Sequence, residues 1–416
     1  MRQTSIKLSH STKKIGGTVQ LTGSKSESNR ALIIQALSKG NVTIENISEA
    51  DDTILLTRAL QDAAATHEGP KAIDIGPAGT AMRFMTSYIN LIPGEFILTG
   101  TTRMQQRPIG ILVDALRTIG ADINYVDKAG YPPLHIKGGL SQTQERVRIK
   151  GNVSSQYISS LLLVAAHLEK GLTIEIEGEL TSRPYVTMTL NMLAEAGINH
   201  NWEGNNIQIL PQKAQQSTIY VEPDWSAASY WYAMVALAEE AEIRLPGLKK
   251  SSLQGDIAIA SIMEHFGVKT TFEEKGILLE KTSALSDKTF FDFKECPDLA
   301  QTVVVVAAAL KRNVSFTGLE TLKIKETDRI AALQQEIGKF GATLTEDSEV
   351  YHLNTDNVKE PEAITIATYE DHRMAMAFAP LALVFKQVDI EEPHVVEKSY
   401  PMYWEHLTAQ GFDIEE

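Results

Sequence analysis

One supersecondary pattern recurs along this chain of 416 residues and limits the folds that it can adopt. In each copy, a short β-rich run ending near a glycine leads through a loop to a helical pattern, a second glycine and more strand-like residues. Four copies are clear, with β-rich runs at 94–100, 171–178, 241–247 and 313–318. Weaker copies start at 41–47 and 388–394, the latter before a helical pattern ending at Gly411. Alternating strands and helices in about six such units predict an α/β or α+β protein.

The helical segments of these copies carry apolar residues at spacings of three and four, which is typical of amphipathic helices. A glycine follows each of the four clear segments, and we expect these glycines at the C′ position, where a left-handed backbone is favourable. They are Gly120, Gly197, Gly267 and Gly341. Three further segments, 154–168, 224–238 and 298–310, start with small polar residues and are apolar on nearly all sides. This pattern predicts helices that are buried on most faces.

Length and composition narrow the class of protein. A chain of 416 residues exceeds one ordinary core, so we expect at least two domains. No apolar run approaches the roughly 20 residues that span a bilayer, and the N-terminal segment lacks a hydrophobic targeting core. The net charge of −14 argues against nucleic-acid binding. The single cysteine, Cys296, allows no intrachain disulfide, which fits a cytoplasmic protein.

Residues 23–31, GSKSESNRA, combine a small-residue turn with the predicted start of a helix. Lys25 and Ser26 fall in the first turn, and Arg30 lies on the same helical face as Ser26. Acidic residues are the usual choice there because the helix dipole is positive at its N-terminus, so two cations indicate an anionic ligand. A solvated helix start is the alternative for the segment taken alone. Residues 23–31 do not form a P-loop motif, because they lack its second glycine and its Gly-Lys-Ser/Thr ending.

Several other segments place polar or cationic groups at predicted helix starts. In IGPAGTAMRF, Gly76 and Gly79 permit close approach of a ligand, Thr80 is a candidate cap, and Arg83 follows one turn later. Arg107 precedes Pro108, which we expect at the first helical position. Ordinary loops, caps and surface arginines would explain each of these features separately.

The remaining motifs lie in the middle and the second half of the chain. Ser154 or Ser155 is a candidate N-cap or phosphate ligand, and Asp298 is either an N-cap or a general base. The KETDR segment places Lys325 and Arg329 on a shared helix face beside Glu326, in a pattern that also fits a salt-bridged surface. Further polar groups are Ser182, Tyr185, Asp371, His372, Arg373 and Lys398. Neither the metal-site spacings of His and Cys nor a dinucleotide fingerprint occurs, so we expect no metal and no cofactor.

Read in order, the segments GSKSESNRA, GPAGTAMR, RPI, SSQ, SRPY, SLQGD, PD, KETDR, DHRMAM and EKSYP closely resemble the 5-enolpyruvylshikimate-3-phosphate synthase family of enolpyruvyl transferases. The resemblance runs over nearly the whole chain. It implies two similar domains of three repeats each, forming an inside-out α/β barrel of six βαβαββ-type units. It also implies two crossovers, near 21–23 and 222–224, with residues 1–21 and 224–416 in one domain, 22–223 in the other, and the active site in the cleft between them.

The resemblance further implies transfer of the enolpyruvyl group of phosphoenolpyruvate to the 5-hydroxyl of 3-phosphoshikimate, by a monomeric enzyme that needs no cofactor. Domain closure should accompany binding of these anions. The implied catalytic residues are Asp298, Glu326 and Lys25. The implied phosphoenolpyruvate ligands are Lys25, Gly79, Arg107, Gln156, Arg329, Arg373 and Lys398. The implied 3-phosphoshikimate ligands are Lys25, Ser26, Arg30, Ser154, Ser155, Gln156, Ser182, Tyr185, Asp298, Thr321 and Lys325.

Two positions depart from the family pattern. Pro77 and Thr321 each stand where asparagine is common in the family, so local contacts there can differ. Two alternatives share parts of the pattern: a UDP-N-acetylglucosamine enolpyruvyltransferase and a non-catalytic anion-binding paralogue. The KETDR, SSQ and SRPY segments and the absence of a loop cysteine argue against the first. Intact Lys25, Asp298 and Glu326 argue against the second.

Overall fold

The computed structural model describes residues 4–415. Within this range, the strands are β1 Ser5–Ser9, β2 Lys14–Thr18, β3 Val42–Glu45, β4 Lys71–Asp74, β5 Glu95–Thr99, β6 Asp122–Tyr125, β7 Leu134–Lys137, β8 Arg146–Lys150, β9 Leu172–Glu177, β10 Asn201–Glu203, β11 Asn206–Ile209, β12 Ser217–Tyr220, β13 Glu240–Pro246, β14 Phe266–Glu273, β15 Gly276–Leu285, β16 Phe290–Asp292, β17 Val314–Thr317, β18 Thr343–Asp347, β19 Val350–Asn354, β20 Ala363–Ile366, β21 Gln387–Glu391 and β22 Asp413–Glu415.

The α-helices of the same range alternate with these strands. They are α1 Lys25–Leu37, α2 Asp51–Ala64, α3 Gly79–Tyr88, α4 Thr102–Gln105, α5 Gly110–Thr118, α6 Ser155–Ala165, α7 Arg183–Glu195, α8 Trp225–Leu237, α9 Ile259–Glu264, α10 Ala300–Ala309, α11 Arg329–Gly338, α12 His372–Phe378 and α13 Tyr403–Ala409. Short 3-10 helices at Gly255–Ala258, Pro297–Leu299, Glu320–Ile324 and Pro393–Lys398 carry residues discussed below. No helix of the described residues is both long and apolar enough to cross a membrane.

The chain separates into two compact units. The central unit comprises residues 23–221, and the terminal unit comprises the residues on either side of it, up to 22 and from 222 onward. The terminal unit holds the sheets β20-β21-β1-β22, β14-β15-β13-β2 and β16-β17-β19-β18. The central unit holds β4-β5-β7-β6, β10-β11-β9-β8 and β12-β3.

Five of the six sheets described have the same pairing scheme. An outer strand pairs in parallel with a second strand, which pairs antiparallel with a third, which pairs antiparallel with a fourth; β4, β5, β7 and β6 are one example. In the sheet that contains β1, the N-terminal strand takes the third place, with Leu8 opposite both Val388 and Ile414. The sixth sheet is reduced to the parallel pair β12 and β3. The predicted α/β repeat is therefore confirmed, and the weak copy at 41–47 corresponds to the reduced sheet.

Apolar helices fill the interior of each unit. In the terminal unit, α10 (AQTVVVVAAA) is buried along its whole length and packs against α8 and α12. In the central unit, α3 packs against α6 and α1. The three segments expected to be buried are indeed buried, because a helix without a polar face has no favourable orientation towards water. Cys296 is buried among these core residues.

The predicted helix ends are partly right. Gly120 and Gly197 directly follow the C-caps of α5 and α7 with φ of +109° and +80°. Gly267 and Gly341 also have positive φ, but each lies two residues after the C-cap of its helix. The C′ assignment is wrong for these two glycines because α9 and α11 end one residue earlier than the hydrophobic period suggests.

Candidate active site

The terminal unit contains a dense group of ionised side chains, which we call the terminal cluster. Four of its members are cations and three are carboxylates, and every member is within 4 Å of an oppositely charged one. The cluster consists of Lys325, Arg329, Arg373, Lys398, Asp298, Glu326 and Asp371. Its members lie at the starts of two helices, α11 and α12, or in and just after three 3-10 helices. The sequence motifs PD, KETDR, DHRMAM and EKSYP therefore meet at one place.

Arg329 is the central residue of the terminal cluster. It opens α11 and is 1% exposed. Its Nε donates to Asp371 Oδ2 at 2.7 Å, Nη1 to Asp298 Oδ1 at 3.0 Å, and Nη2 to Glu326 Oε2 at 2.9 Å. Burial alone would lower the pKa of this guanidinium, but the three carboxylates outweigh it and raise the pKa. Arg329 is therefore held as a cation in a fixed orientation.

Asp298 faces the cations instead of capping a helix. Residues 297–299 form a 3-10 helix and α10 begins at Ala300 without a side-chain cap, so the N-cap interpretation of Asp298 is wrong. Its Oδ2 lies 3.2 Å from Arg373 Nη2, and its Oδ1 lies 3.6 Å from Lys325 Nζ. Burial raises the pKa of the Asp298 carboxyl, but the charges of Arg373, Lys325 and Arg329 exceed that effect and hold the pKa well below its usual range.

Glu326 and the lysines complete the accessible side of the cluster. Lys398, in the 3-10 helix Pro393–Lys398, places Nζ 3.4 Å from Glu326 Oε1. Lys325 follows the 3-10 helix Glu320–Ile324 and precedes α11, so the expectation that Lys325 and Arg329 share a helix face is wrong. They converge through Asp298 instead. Thr321, on the same 3-10 helix, has a buried Oγ1 with no hydrogen-bond partner within the described part of the chain.

A second buried carboxyl lies behind Arg373 and was not singled out by the sequence. Asp256, which is 3% exposed, accepts a short hydrogen bond from Ser226 Oγ, and Ser226 Oγ in turn lies 3.4 Å from Arg373 Nη2. Burial, and then the charge of Asp298, raise the pKa of Asp256 to about 7. Two carboxyls near one arginine thus have pKa values shifted in opposite directions, which is common at catalytic sites. The only sequence signal was the SLQGD segment.

In the central unit, the starts of α1, α3 and α6 carry the predicted polar residues. Helix α1 begins at Lys25, as expected, and is capped by Ser24, whose Oγ accepts from Glu27 N. Lys25 Nζ donates to Asp52 Oδ2 at 3.1 Å, and Asp52 is 2% exposed. The charge of Lys25 is therefore compensated by a carboxylate of the protein itself, which the spacing of the motif did not reveal.

Arg30 is almost completely buried, with 2% exposure. Its Nε donates to Thr189 Oγ1 at 2.7 Å, and its Nη groups donate to the carbonyls of Ser26 and Tyr185. The guanidinium also lies 5.5 Å from the Phe84 ring centroid. Burial lowers the pKa of Arg30 to about 10, so it remains charged at neutral pH. Arg30 thus joins α1 to the segment carrying Ser182 and Tyr185.

The loop before α3 brings Gly79 and Arg107 together. An ideal Cβ placed on Gly79 would lie 2.6 Å from Arg107 Nη1. Arg83 donates to the carbonyls of Gly79 and Pro108 and fixes both segments. Two expectations are wrong here. Thr80 does not cap α3, whose N-cap is Ala78, and Pro108 precedes the N-cap of α5 because Ile109 occupies that position.

The serine-rich start of α6 lies beside this loop. Ser154 is the N-cap and accepts from Gln156 N, whereas Ser155 is the first helical residue and is buried. Gln156 Nε2 donates to Thr80 Oγ1 at 3.1 Å, which connects α6 to α3. Ser182, the N-cap of α7, has a left-handed backbone with φ of +53°, a conformation that costs energy for a non-glycine residue and is frequent at functional sites.

Sequence comparison identifies the family. The EPSP synthase (3-phosphoshikimate 1-carboxyvinyltransferase) family model matches residues 10–407. A 3-phosphoshikimate 1-carboxyvinyltransferase from Bacteroides fragilis is 48% identical over 403 residues, covering 96% of this chain and 97% of the relative. The protein of the same name from Sulfurovum sp. is 37% identical, covering 95% of this chain and 96% of the relative.

Solved structures give the same fold. EPSP synthase from Acinetobacter baumannii aligns over all of both chains with a TM-score of 0.79 at 21% identity. An enolpyruvyl transferase from Streptomyces tendae aligns over 100% of this chain and 99% of that one, with a TM-score of 0.74 at 14% identity. The repeated four-stranded sheets, the cationic helix starts and a family match over nearly the full length agree, and this chain belongs to the EPSP synthase family.

Proposed function

We propose that this protein transfers the enolpyruvyl group of phosphoenolpyruvate to the 5-hydroxyl of 3-phosphoshikimate and releases phosphate, as a monomeric cytoplasmic enzyme of aromatic biosynthesis. The observation that supports this most strongly is the terminal cluster, where two carboxylates, Asp298 and Glu326, lie among four cations. A reaction between two anionic substrates needs such cations, because like charges repel strongly in a site that excludes water.

The proposed donor ligands form two groups. Arg329, Arg373 and Lys398 belong to the terminal cluster, and Lys25, Gly79, Arg107 and Gln156 lie near helix starts of the central unit. Arginine suits this role because its planar guanidinium binds carboxylate and phosphate oxygens in pairs. The N–H groups of Arg329 and Arg373 that now reach Asp298 and Glu326 are the ones that oxygens of a bound donor would engage.

The proposed acceptor ligands also lie on both units. Ser26, Arg30, Ser154, Ser155, Gln156, Ser182 and Tyr185 belong to the central unit, and Asp298, Thr321 and Lys325 belong to the terminal unit. Thr321 replaces the asparagine common in the family, and its unsatisfied buried hydroxyl could accept or donate one hydrogen bond to a ring hydroxyl. Since neither unit carries the whole set, substrate-driven closure stays a prediction, which small-angle scattering with and without 3-phosphoshikimate would test.

The chemistry requires two proton transfers. In the addition step, the 5-oxygen of the acceptor bonds to C2 of the donor, Asp298 takes the hydroxyl proton while the Lys25 cation assists at the 5-oxygen, and Glu326 gives a proton to C3. In the elimination step, the bond from C2 to the phosphate oxygen breaks, the proton that Asp298 took passes to the departing phosphate, and Glu326 recovers a proton from C3. The products are the enol ether and inorganic phosphate, so atoms and charge balance.

The low pKa of Asp298 makes it a weak base until the donor arrives. Anionic oxygens bound to Arg373 and Arg329 would offset the charges that stabilise its carboxylate, and the pKa of Asp298 would then rise. Proton acceptance by Asp298 would thereby depend on an occupied donor site. This order suits the reaction because the hydroxyl becomes nucleophilic only beside its electrophile.

A phosphate-release assay with purified protein tests the proposal. Phosphoenolpyruvate with 3-phosphoshikimate should release phosphate, whereas phosphoenolpyruvate with UDP-N-acetylglucosamine should not. Release with the second pair alone would indicate the related sugar-nucleotide transferase. A lack of release with both pairs would indicate a non-catalytic anion-binding protein.

A further inference from the structure

Asp371 stands behind the two arginines of the terminal cluster. Its side chain is completely buried, whereas those of Asp298 and Glu326 are 17% and 15% exposed. Asp371 is therefore the one carboxylate of the cluster that is not accessible to solvent. It accepts from Arg329 through both oxygens, with Nε to Oδ2 at 2.7 Å and Nη2 to Oδ1 at 3.4 Å.

The same carboxylate also starts the next helix. Asp371 is the N-cap of α12, and its Oδ1 accepts from the backbone N of Arg373 at 2.9 Å. Arg373 then reaches Asp298 Oδ2 through Nη2, while Arg329 reaches Asp298 Oδ1 through Nη1. One buried side chain thus fixes one arginine through its guanidinium and the other through its backbone, and both arginines converge on Asp298.

The loop before Asp371 has an unfavourable backbone. Tyr369 and Glu370 both adopt φ of +55°, which is uncommon for residues with a side chain. Hydrogen bonds from Tyr369 Oη to Gln335 and Glu336 anchor this loop to α11. Such strain persists where the surrounding structure imposes it, and it is concentrated at functional positions. Here the strained loop places the Asp371 carboxylate against the starts of α11 and α12.

We propose that Asp371 is the positioning residue of the donor site: it orients Arg329 and Arg373 together so that their outward N–H groups bind the anionic oxygens of phosphoenolpyruvate. This inference rests on the proposed function. Asp371 itself does not touch substrate in this proposal, because its two oxygens are occupied by Arg329 and by the start of α12.

The chain offers a matched control, Asp328. Like Asp371, Asp328 is an N-cap. Its helix, α11, starts at Arg329, and its Oδ1 accepts from Ile330 N and Ala331 N at 3.1 Å. It is exposed, and none of its hydrogen bonds described here involves a guanidinium. Asparagine caps helices about as well as aspartate. The pair Asp371→Asn and Asp328→Asn therefore separates the guanidinium contact from the capping role.

The test measures kcat and KM for both substrates in the wild type and the two variants. Asp371→Asn should raise KM for phosphoenolpyruvate by roughly ten- to a hundredfold, since a misplacement of about 1 Å can cost that much. Its KM for 3-phosphoshikimate should stay within about twofold, as should both KM values of Asp328→Asn. Asp371→Glu keeps the charge and should be intermediate; it replaces Asp371→Asn if that variant does not fold.

Three outcomes would overturn the inference: unchanged donor KM in Asp371→Asn, an equal rise in both KM values, or a matching change in Asp328→Asn. The failure of the proposed function looks different. In that case the wild type itself releases no phosphate from phosphoenolpyruvate and 3-phosphoshikimate, and the donor role of Asp371 falls with it. An active wild type with an indifferent Asp371→Asn variant leaves the function standing and removes only the positioning role.

Discussion

Gly79 and Arg107 are in such close contact that no side chain fits between them: an added Cβ would lie 2.6 Å from Arg107 Nη1 and 3.1 Å from its Cζ. The backbone of Gly79 is not left-handed, so the position itself does not demand glycine conformationally. Glycine is required because the Arg107 guanidinium occupies the space that a side chain would need. The contact thus joins the small-residue loop before α3 to a cation proposed to bind the donor.

We expect Gly79→Ala to displace Arg107 and raise KM for phosphoenolpyruvate by roughly ten- to a hundredfold. The free energy of unfolding should change little, because the obstructing atoms are the far end of a flexible side chain. Steady-state kinetics with each substrate varied in turn measure the effect. Gly338→Ala in α11 is the control, since nothing lies within 4 Å of its added Cβ. An unchanged donor KM in Gly79→Ala would separate Arg107 from donor binding.

Glu326→Gln should lower kcat by roughly 10²- to 10⁴-fold while changing both KM values only a few-fold, because the amide cannot exchange a proton with C3 of the donor. The amide oxygen can still accept from Arg329 Nη2, so the cluster should keep its geometry. Incorporation of deuterium from heavy water into the methylene of phosphoenolpyruvate, with 3-phosphoshikimate present, reports the same step without turnover.

Glu320→Gln serves as the matched control for this variant. Glu320 is exposed in the 3-10 helix that precedes Lys325. The kcat of Glu320→Gln should equal that of the wild type. Full deuterium exchange in Glu326→Gln would assign the proton transfer at C3 to another group.

Arg30→Met should affect both folding and acceptor binding. The methionine retains most of the aliphatic stem but removes the guanidinium that donates to the buried Thr189 Oγ1 and to the carbonyls of Ser26 and Tyr185. We expect a loss of roughly 1–3 kcal/mol in the free energy of unfolding, measured by urea denaturation, and a higher KM for 3-phosphoshikimate alone. The exposed Arg58→Met should stay within about 0.5 kcal/mol of the wild type. An equal rise in both KM values would contradict an acceptor-specific role for Arg30.

The repeat could be predicted from the sequence because the strand, the helix and the glycine of each unit follow one another within one continuous segment. The reduced sheet at 41–47 could not, because among residues 4–415 strand β3 pairs only with β12, which begins at Ser217. The local sequence pattern does not determine which distant strands pair with β3.

The candidate site shows the same division. Lys25, Arg329 and Arg373 were recognisable as cations at helix starts, and Asp371 as a polar group beside Arg373, but the pairing of Lys25 with Asp52 and of Arg329 with Asp371 was not recognisable. Lys25 and Asp52 are 27 residues apart, and Arg329 and Asp371 are 42 apart. Such pairs depend on how helices pack, so spacing alone could only suggest that the compensating charge came from substrate. The fold supplies part of that charge from the protein.

Asp256 gives a pH dependence whose sign can be worked out. Its pKa is about 7 in the folded protein, against about 3.9 for an unfolded aspartate, because burial and then the charge of Asp298 disfavour its ionised form. Between these values the folded state binds more protons, so the contribution of Asp256 to stability falls as the pH rises and is fully unfavourable above about 7. The charged groups facing it are Asp298, Arg373 and Asp224, of which only Arg373 favours ionisation.

Asp256→Asn should therefore stabilise the protein relative to the wild type much more at pH 8.5, above the folded pKa of about 7, than near pH 4.5, which is close to the unfolded pKa of about 3.9. The amide oxygen keeps the hydrogen bond from Ser226, so the comparison isolates the ionisation. Urea denaturation of both proteins at several pH values between these limits measures the difference, which should grow as the pH rises from the unfolded pKa and level off above the folded pKa of about 7. The exposed Asp127→Asn provides the baseline and should show no such trend. A stability difference that stays constant across this range would mean that Asp256 is already ionised at pH 4.5, and that Arg373 outweighs its burial.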